Sequence, residues 1–150
     1  MKVFKRILVA IDESDHSRLA IPAALEVARR FNSEVVVLHV TDRDRDGAAA
    51  FVARAVWTLR DGGVMASGLV NDVPSGHVAE HIVAGAAALE ADLIVMGSRG
   101  LSDVEGLLLG SVTHKVIRLA PVAVLVAKGP LPVRVASVKP AFGRRPLVAV

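Results

Sequence analysis

Five short apolar runs lie along the chain, separated by longer stretches in which apolar residues recur at helical spacing. The runs are Val3–Ile11, Val35–Val40 (VVVLHV), Val64–Val70, Leu93–Met96 (LIVM) and Val122–Ala127 (VAVLVA). Their apolar positions are nearly continuous rather than alternating, the pattern of strands covered on both faces. Between the first two runs, Leu19, Ala23 and Val27 fall four apart and predict a helix over 15–31, with Ser14 or Asp15 as its N-cap. Pro22 sits inside this segment and either kinks it or lies near its first turns. Residues 48–61 and 77–90 read as the second and third helices. A shorter fourth, 111–119, is entered through Gly110-Ser111 and closed before Pro121.

Strand and helix therefore alternate as βαβαβαβαβ. Parallel strands need crossover helices, and right-handed crossovers put helices on both faces, so the expected fold is a single α/β domain with an open parallel sheet. In such sheets ligands bind beyond the carboxyl ends of the strands, where strand order reverses. Function is expected in the loops after the first and fourth strands, Asp12–Ser17 and Gly97–Ser111.

Composition narrows the classes. A chain of 150 residues, 53% hydrophobic and 22% charged, with a mean hydropathy of +0.50, is neither disordered nor low in complexity. The absence of cysteine excludes disulfides, thiolate metal sites and a cysteine nucleophile. Aromatic residues make up 3%, with no tyrosine and the single Trp57, which removes the stacking platforms of single-strand nucleic-acid binders. The net charge is +3, yet Lys128, Arg134, Lys139, Arg144 and Arg145 place five positive charges and no acid in 128–150, leaving −2 for the rest. The chain thus reads as a slightly acidic body, 1–127, and a basic Pro-rich extension, 128–150, in which Val133, Val135 and Val138 hint at a weak strand. Charges so spread argue against a nucleic-acid partner. No apolar run approaches the roughly 18–20 residues of a membrane span. The run Ile7–Ile11 is too short for a signal-peptide core, so the expected location is the cytoplasm.

The loop after the fourth strand carries the strongest chemistry. Gly97-Ser98-Arg99-Gly100 is followed by nine residues and then Gly110-Ser111-Val112-Thr113. Glycines three apart let backbone N–H groups approach an anion, and a helix opening at Gly110-Ser111 presents unpaired N–H groups and a partial positive charge. Arg99 and the Ser111 and Thr113 hydroxyls add donors. An ordinary glycine loop ending in a serine cap is the alternative on the glycines alone.

Taken whole, this stretch resembles the universal stress proteins, whose signature Gly-x2-Gly-x9-Gly-(Ser/Thr) stands complete in GSRGLSDVEGLLLGS. The flanks RILVAIDES, ADLIVMGSRG and LLLGSVTHKVIRLAPVAVLV are similar too, over about Lys5–Ala127. The resemblance implies strand order 3-2-1-4-5, an adenine nucleotide α-hydrolase-like fold, and ATP, with Mg²⁺, as the ligand. It implies that Ala10 and Asp12 approach the nucleotide and that the Val40 backbone reads the adenine edge. It further implies that Gly97 and Gly100 lie against ribose and phosphates, and that Gly110, Ser111 and Val112 hold the phosphates. Asp12 serves a ribose hydroxyl, a Mg²⁺ ion or the helix N-cap; the sequence leaves these open. The uncharged fifth strand, Val122 to Val126, lies at a sheet edge in that order, which invites pairing with another chain, and the resemblance implies a homodimer through it.

Two features depart from the family pattern. Ala10 stands where some ATP-binding members have proline, and Asp103 and Glu105 bring two carboxylates into the nine-residue loop, weakening a triphosphate site if they face it. His77-Val78-Ala79-Glu80-His81 matches the H-x-x-E-H metalloprotease pattern, but no third ligand is assignable and solvent-facing histidines are the expected outcome. His114 and Lys115 could reach a γ-phosphate or form a polar helix face. No Walker loop and no nucleophile elbow is present. The expected function is a nucleotide-responsive stress protein with slow or no hydrolysis. The alternatives are a nucleotide-independent dimeric stress protein and an ATP-consuming enzyme, the latter disfavoured because Asp12-Glu13-Ser14-Asp15 offers no glycine after the first strand.

Overall fold

The computed structural model describes residues 3–41, 45–73, 76–99 and 109–128. Gly100, Asp103, Glu105 and the extension from residue 129, with the weak strand expected there, lie outside them. In chain order the elements are β1 (Arg6–Ile11), α1 (Asp15–Arg18), α2 (Ala20–Phe31), β2 (Glu34–Thr41), α3 (Arg45–Asp61), β3 (Met65–Asp72), α4 (Val78–Ala88), β4 (Leu93–Gly97), α5 (Ser111–Leu119) and β5 (Ala123–Ala127). The five strands form one sheet in the order β3-β2-β1-β4-β5, every pair parallel. The expected order and the alternation of elements both hold.

Two layers of core follow from the two faces of the strands. Ile7, Val9, Val35, Val37 and Val95 are buried against α2 and α3. Leu8, Val36, Leu38, Ile94 and Met96 are buried against α4 and α5. Burial on both faces explains why β1, β2 and β4 read as continuous apolar runs, whereas β3 and β5, expected to be covered likewise, lie at the sheet edges and are exposed or half-buried along most of their length.

Element ends differ from the sequence pattern for local reasons. The first strand begins at Arg6 rather than Val3. Phe4 adopts a left-handed conformation (φ 58°), and the amides of Lys5 and Arg6 turn to the Asp92 carboxylate at 2.8 and 3.2 Å. The helix expected over 15–31 is interrupted at Leu19. Ser14 caps α1 by accepting the Ser17 N–H at 3.1 Å, and Pro22 falls in the first turn of α2, where its missing N–H has no partner to lose. The second and third helices run 45–61 and 78–88 instead of 48–61 and 77–90.

Gly68 marks a close approach of α3 to β3. A Cβ there would lie 2.3 Å from Val52 Cγ1 and 3.0 Å from Val56 Cγ2. Valine is stiff at χ1, so α3 has to move outward to admit a methyl group. Gly68→Ala is expected to lower stability by about 1–3 kcal/mol, read as a lower urea midpoint at unchanged slope.

Candidate functional site

Strand order reverses beside β1: the chain proceeds from β1 to β2 and β3 on one side, then crosses to β4 and β5 on the other. The carboxyl ends of β1, β2 and β4 consequently border one crevice, with the first turns of α1 and α5 above it, because each helix starts where its preceding strand ends.

On the β1 side, the chain turns through a compact set of hydroxyl and carboxylate bonds. Asp12 Oδ1 accepts the Ser14 N–H at 2.8 Å, and the Asp12 N–H donates to Ser17 Oγ at 2.6 Å. Asp12 is half-buried and Ser17 buried. Asp12 therefore closes the turn that leads into α1, while Ser14, not Asp12, caps the helix. Ala10 is buried in β1, level with Leu38 and Met96 on its two neighbours.

Val40 lies in the row after β1 ends. The Glu34 N–H bonds the Lys5 carbonyl of β1's lead-in, whereas the Thr41 carbonyl accepts from Val73 on the β3 side. Backbone groups of a parallel strand alternate sides residue by residue, so Val40 turns its backbone toward β1. Pairing of β1 with β2 stops at Ile11 and His39, and the Val40 carbonyl is aimed at the space over the end of β1.

On the β4 side, three bonds fix the entry to α5. Thr113 Oγ1 donates to the Gly97 carbonyl at 2.9 Å, the Gly110 N–H donates to the Ser98 carbonyl at 2.7 Å, and the Ser98 N–H donates to the Ala127 carbonyl of β5 at 3.1 Å. Gly97, Ser98 and Thr113 are buried; Thr113 is 3% exposed. This alters two expectations. The Thr113 hydroxyl proton ties helix to strand instead of pointing outward, and Gly110 contributes no free amide of its own. What remains is the first turn of α5. Gly110 is the N-cap, its carbonyl accepts the His114 N–H at 2.9 Å, and being glycine it brings no capping side chain of its own. The amides of Ser111, Val112 and Thr113 are the donors that an α-helix leaves without intrahelical partners. Ser111 is exposed and Val112 and Arg99 are half-buried.

Two further residues hold this region together, neither of them assigned to the site from the sequence, where Glu80 stood out only as part of His77-Val78-Ala79-Glu80-His81. His39 is buried, and its Nδ1 donates to the Ile11 carbonyl at 2.7 Å; since a carbonyl only accepts, that nitrogen holds the proton. Its ring meets Phe51 edge-on with centroids 5.6 Å apart, so it anchors the end of β1 immediately before Asp12. A lone histidine in an apolar strand was the available clue. The second is Glu80, whose Oε1 pairs with Lys115 Nζ across α4 and α5. Lys115 is therefore held by a carboxylate, where a γ-phosphate contact was one expectation. The hydrogen bond from Lys115, its own backbone amide and the nearby charges of Lys115 and His77 outweigh desolvation and hold the Glu80 carboxyl below the usual carboxylate range. A lowered value means that the tie is intact above the ordinary carboxylate range and is lost as pH falls through the lowered one.

His77 is exposed and His81 half-buried. Among the described residues, no three histidine or acidic side chains gather as a metal would require. A concavity of about 850 Å³ does open elsewhere, at the amino ends of the strands, lined by Lys5, Arg6, Arg29, Glu34 and Asp92 among others. Its polar groups serve structure: Arg6 Nη1 donates to the Leu89 carbonyl at 2.6 Å and Arg6 Nε to Glu34 at 3.2 Å. No helix among the described residues is long and apolar enough to cross a membrane.

Comparison with known proteins agrees with this layout. The model of the universal stress protein family matches residues 4–128. The universal stress protein in the QAH/OAS sulfhydrylase 3′ region of Thermus aquaticus is 36% identical over 137 residues, spanning 84% of this chain and 100% of that one. A solved universal stress protein in complex with cAMP superposes with a TM-score of 0.71 at 25% identity, covering 84% of this chain and 98% of that one. The universal stress protein from Archaeoglobus fulgidus in complex with dAMP gives 0.65 at 26% identity, with 83% and 98% covered.

Proposed function

Since the chain belongs to the universal stress protein family, we propose that the crevice over β1 and β4 binds an adenine nucleotide, with ATP and its Mg²⁺ as the physiological form. The observation that carries this reading is the first turn of α5. Three adjacent amides behind a glycine N-cap, pinned beside β4 through Thr113 and Gly110, form a ready anion site at a strand-order reversal. Phosphates meet Ser111, Val112 and the Gly97–Gly100 segment with Arg99, while Ala10 walls the base and the Val40 carbonyl accepts from its amino group. That two structural neighbours were solved with cAMP and dAMP supports an adenylate as the ligand class. Mg²⁺ commonly arrives on phosphates with one or two carboxylates from the protein, and Asp12 is the carboxylate at the end of β1 suited to it.

The protein acts as a nucleotide-responsive binding module, turning ATP over slowly or not at all, in the cytoplasm and as a homodimer. The dimer reading is supported by β5, which ends the sheet and carries no charged side chain, an edge open to strand addition. The body, 1–127, holds this function, and the basic Pro-rich 128–150 is an extension to it.

Calorimetric titration with AMP and with Mg-ATP tests the reading, together with mass spectrometry of small molecules released when the purified protein is denatured. Saturation with a Kd below about 1 mM, equivalent to roughly 4 kcal/mol of binding free energy, is the expected result. Absence of saturation by either ligand at that level, with no copurified adenylate, would overturn it and favour the nucleotide-independent dimer.

A further inference from the structure

We propose that the Glu80–Lys115 pair tunes the crevice's preference among adenylates: Glu80 holds Lys115 back from the phosphates, so the site favours the triphosphate over the monophosphate less than it would with that cation released. The proposal rests on the adenylate reading above and adds to it which side chains grade the ligand by charge.

The placement follows from helix geometry. Both α4 and α5 begin at the carboxyl pole, and Glu80 lies in the first turn of α4. Lys115 is four residues beyond Ser111, about 6 Å along the axis at 1.5 Å per residue, on the same helix face. Helical side chains slant toward the N-terminus, so the ammonium group of Lys115 leans over the turn whose amides are the anion donors. There it meets Glu80 Oε1. Both side chains are 38% exposed, so the pair contributes little to stability and can be exchanged for another partner. Among the described residues no hydrogen-bond donor meets the enclosed Glu80 Oε2. The pair therefore brings an acceptor, and no uncommitted cation, to the edge of an anion site.

The effect scales with ligand charge. A triphosphate carries roughly twice the charge of a monophosphate at neutral pH, and both the repulsion by Glu80 and the attraction withheld with Lys115 grow in proportion. Loss of Glu80 frees the cation and removes the repulsion together. Loss of Lys115 leaves the carboxylate unbalanced.

The test is titration of the full chain with AMP and ATP in Mg-free buffer at fixed, low ionic strength, comparing wild type, Glu80→Gln, Lys115→Gln and the double variant. Glu80→Gln is expected to tighten ATP about fivefold and AMP less than about twofold, and Lys115→Gln to weaken ATP about fivefold with little change in AMP. The double variant should return the ATP/AMP ratio to within about twofold of wild type, and the single-variant shifts should shrink in high salt. Circular dichroism establishes which variants are folded, and any folded single variant suffices for the comparison. An ATP/AMP ratio unchanged while AMP still saturates would overturn the role of the pair and leave the adenylate site standing. Failure of both ligands to saturate would overturn the two readings together.

Discussion

Ser111→Glu is expected to weaken adenine nucleotide binding by at least about tenfold while leaving the fold as stable as before or slightly more so. Ser111 is the first residue of α5 and is exposed, so the longer side chain meets no packing obstacle. A carboxylate at the first position of a helix interacts favourably with the amino-terminal end of the macrodipole, by about 0.3–1 kcal/mol, which corresponds to a rise of roughly 1–4 °C in Tm for a domain of this size. The same carboxylate occupies the amides of the first turn and opposes a phosphate at close range, where unit charges interact by a few kcal/mol even at an effective dielectric constant of about 20. Stability and affinity thus move in opposite directions. Calorimetric titration with AMP and thermal unfolding of the same sample measure both. Unaltered affinity would place the ligand away from α5, and a lower Tm would show that Gly110-Ser111 is a structural cap only.

The largest loss of stability is expected from Leu38→Ala, with partial recovery by Gly85→Ala. Leu38 is 1% exposed, in β2 beneath α4, and truncation of such a leucine costs about 2–5 kcal/mol, against a total of roughly 5–15 kcal/mol for a domain. Gly85 sits directly over it: a Cβ on Gly85 would lie 3.3 Å from Leu38 Cδ2. In the wild type, Gly85→Ala gains up to about 1 kcal/mol of helix propensity, offset by that tight contact. In the Leu38→Ala background the contact is gone, and the new methyl group enters the vacated space. Gly85→Ala should then recover about 1 kcal/mol or more of the loss, seen as a higher urea midpoint at constant slope. Strict additivity of the two substitutions would show that α4 does not sense the β2 side chain at this point.

Particular residues show where sequence reasoning reached and where it stopped. The runs around Ile7–Val9, Val35–Leu38 and Leu93–Met96 announced strands buried on both faces, and each is so buried. Pro22 was compatible with a first helical turn, and it lies in one. Strand order came through the resemblance carried by GSRGLSDVEGLLLGS, not through periodicity, since the apolar runs do not say which strands are neighbours. Thr113 and Ser111 were equivalent as hydroxyl donors in the sequence; in the structure one ties α5 to the Gly97 carbonyl and the other is exposed. Lys115 read as a candidate phosphate contact because its partner Glu80 is 35 positions away, on another helix.

By itself, then, the amino-acid order determined which segments are strands and which are helices, because burial on two faces and helical spacing are periodic properties of neighbouring residues. It also determined that a glycine, with no side chain of its own to cap the helix, stands before Ser111 at the start of α5. Only the assembled fold decided which of the local donors stay available, for the Gly110 amide and the Thr113 hydroxyl are taken by carbonyls of a strand end that reaches them across the loop. It likewise decided that Lys115 faces a carboxylate and that His39 braces β1. Hydrogen bonds and ion pairs depend on distances of a few ångströms between remote positions, and those distances exist only once the sheet has brought α4, α5, β1 and β4 to one edge.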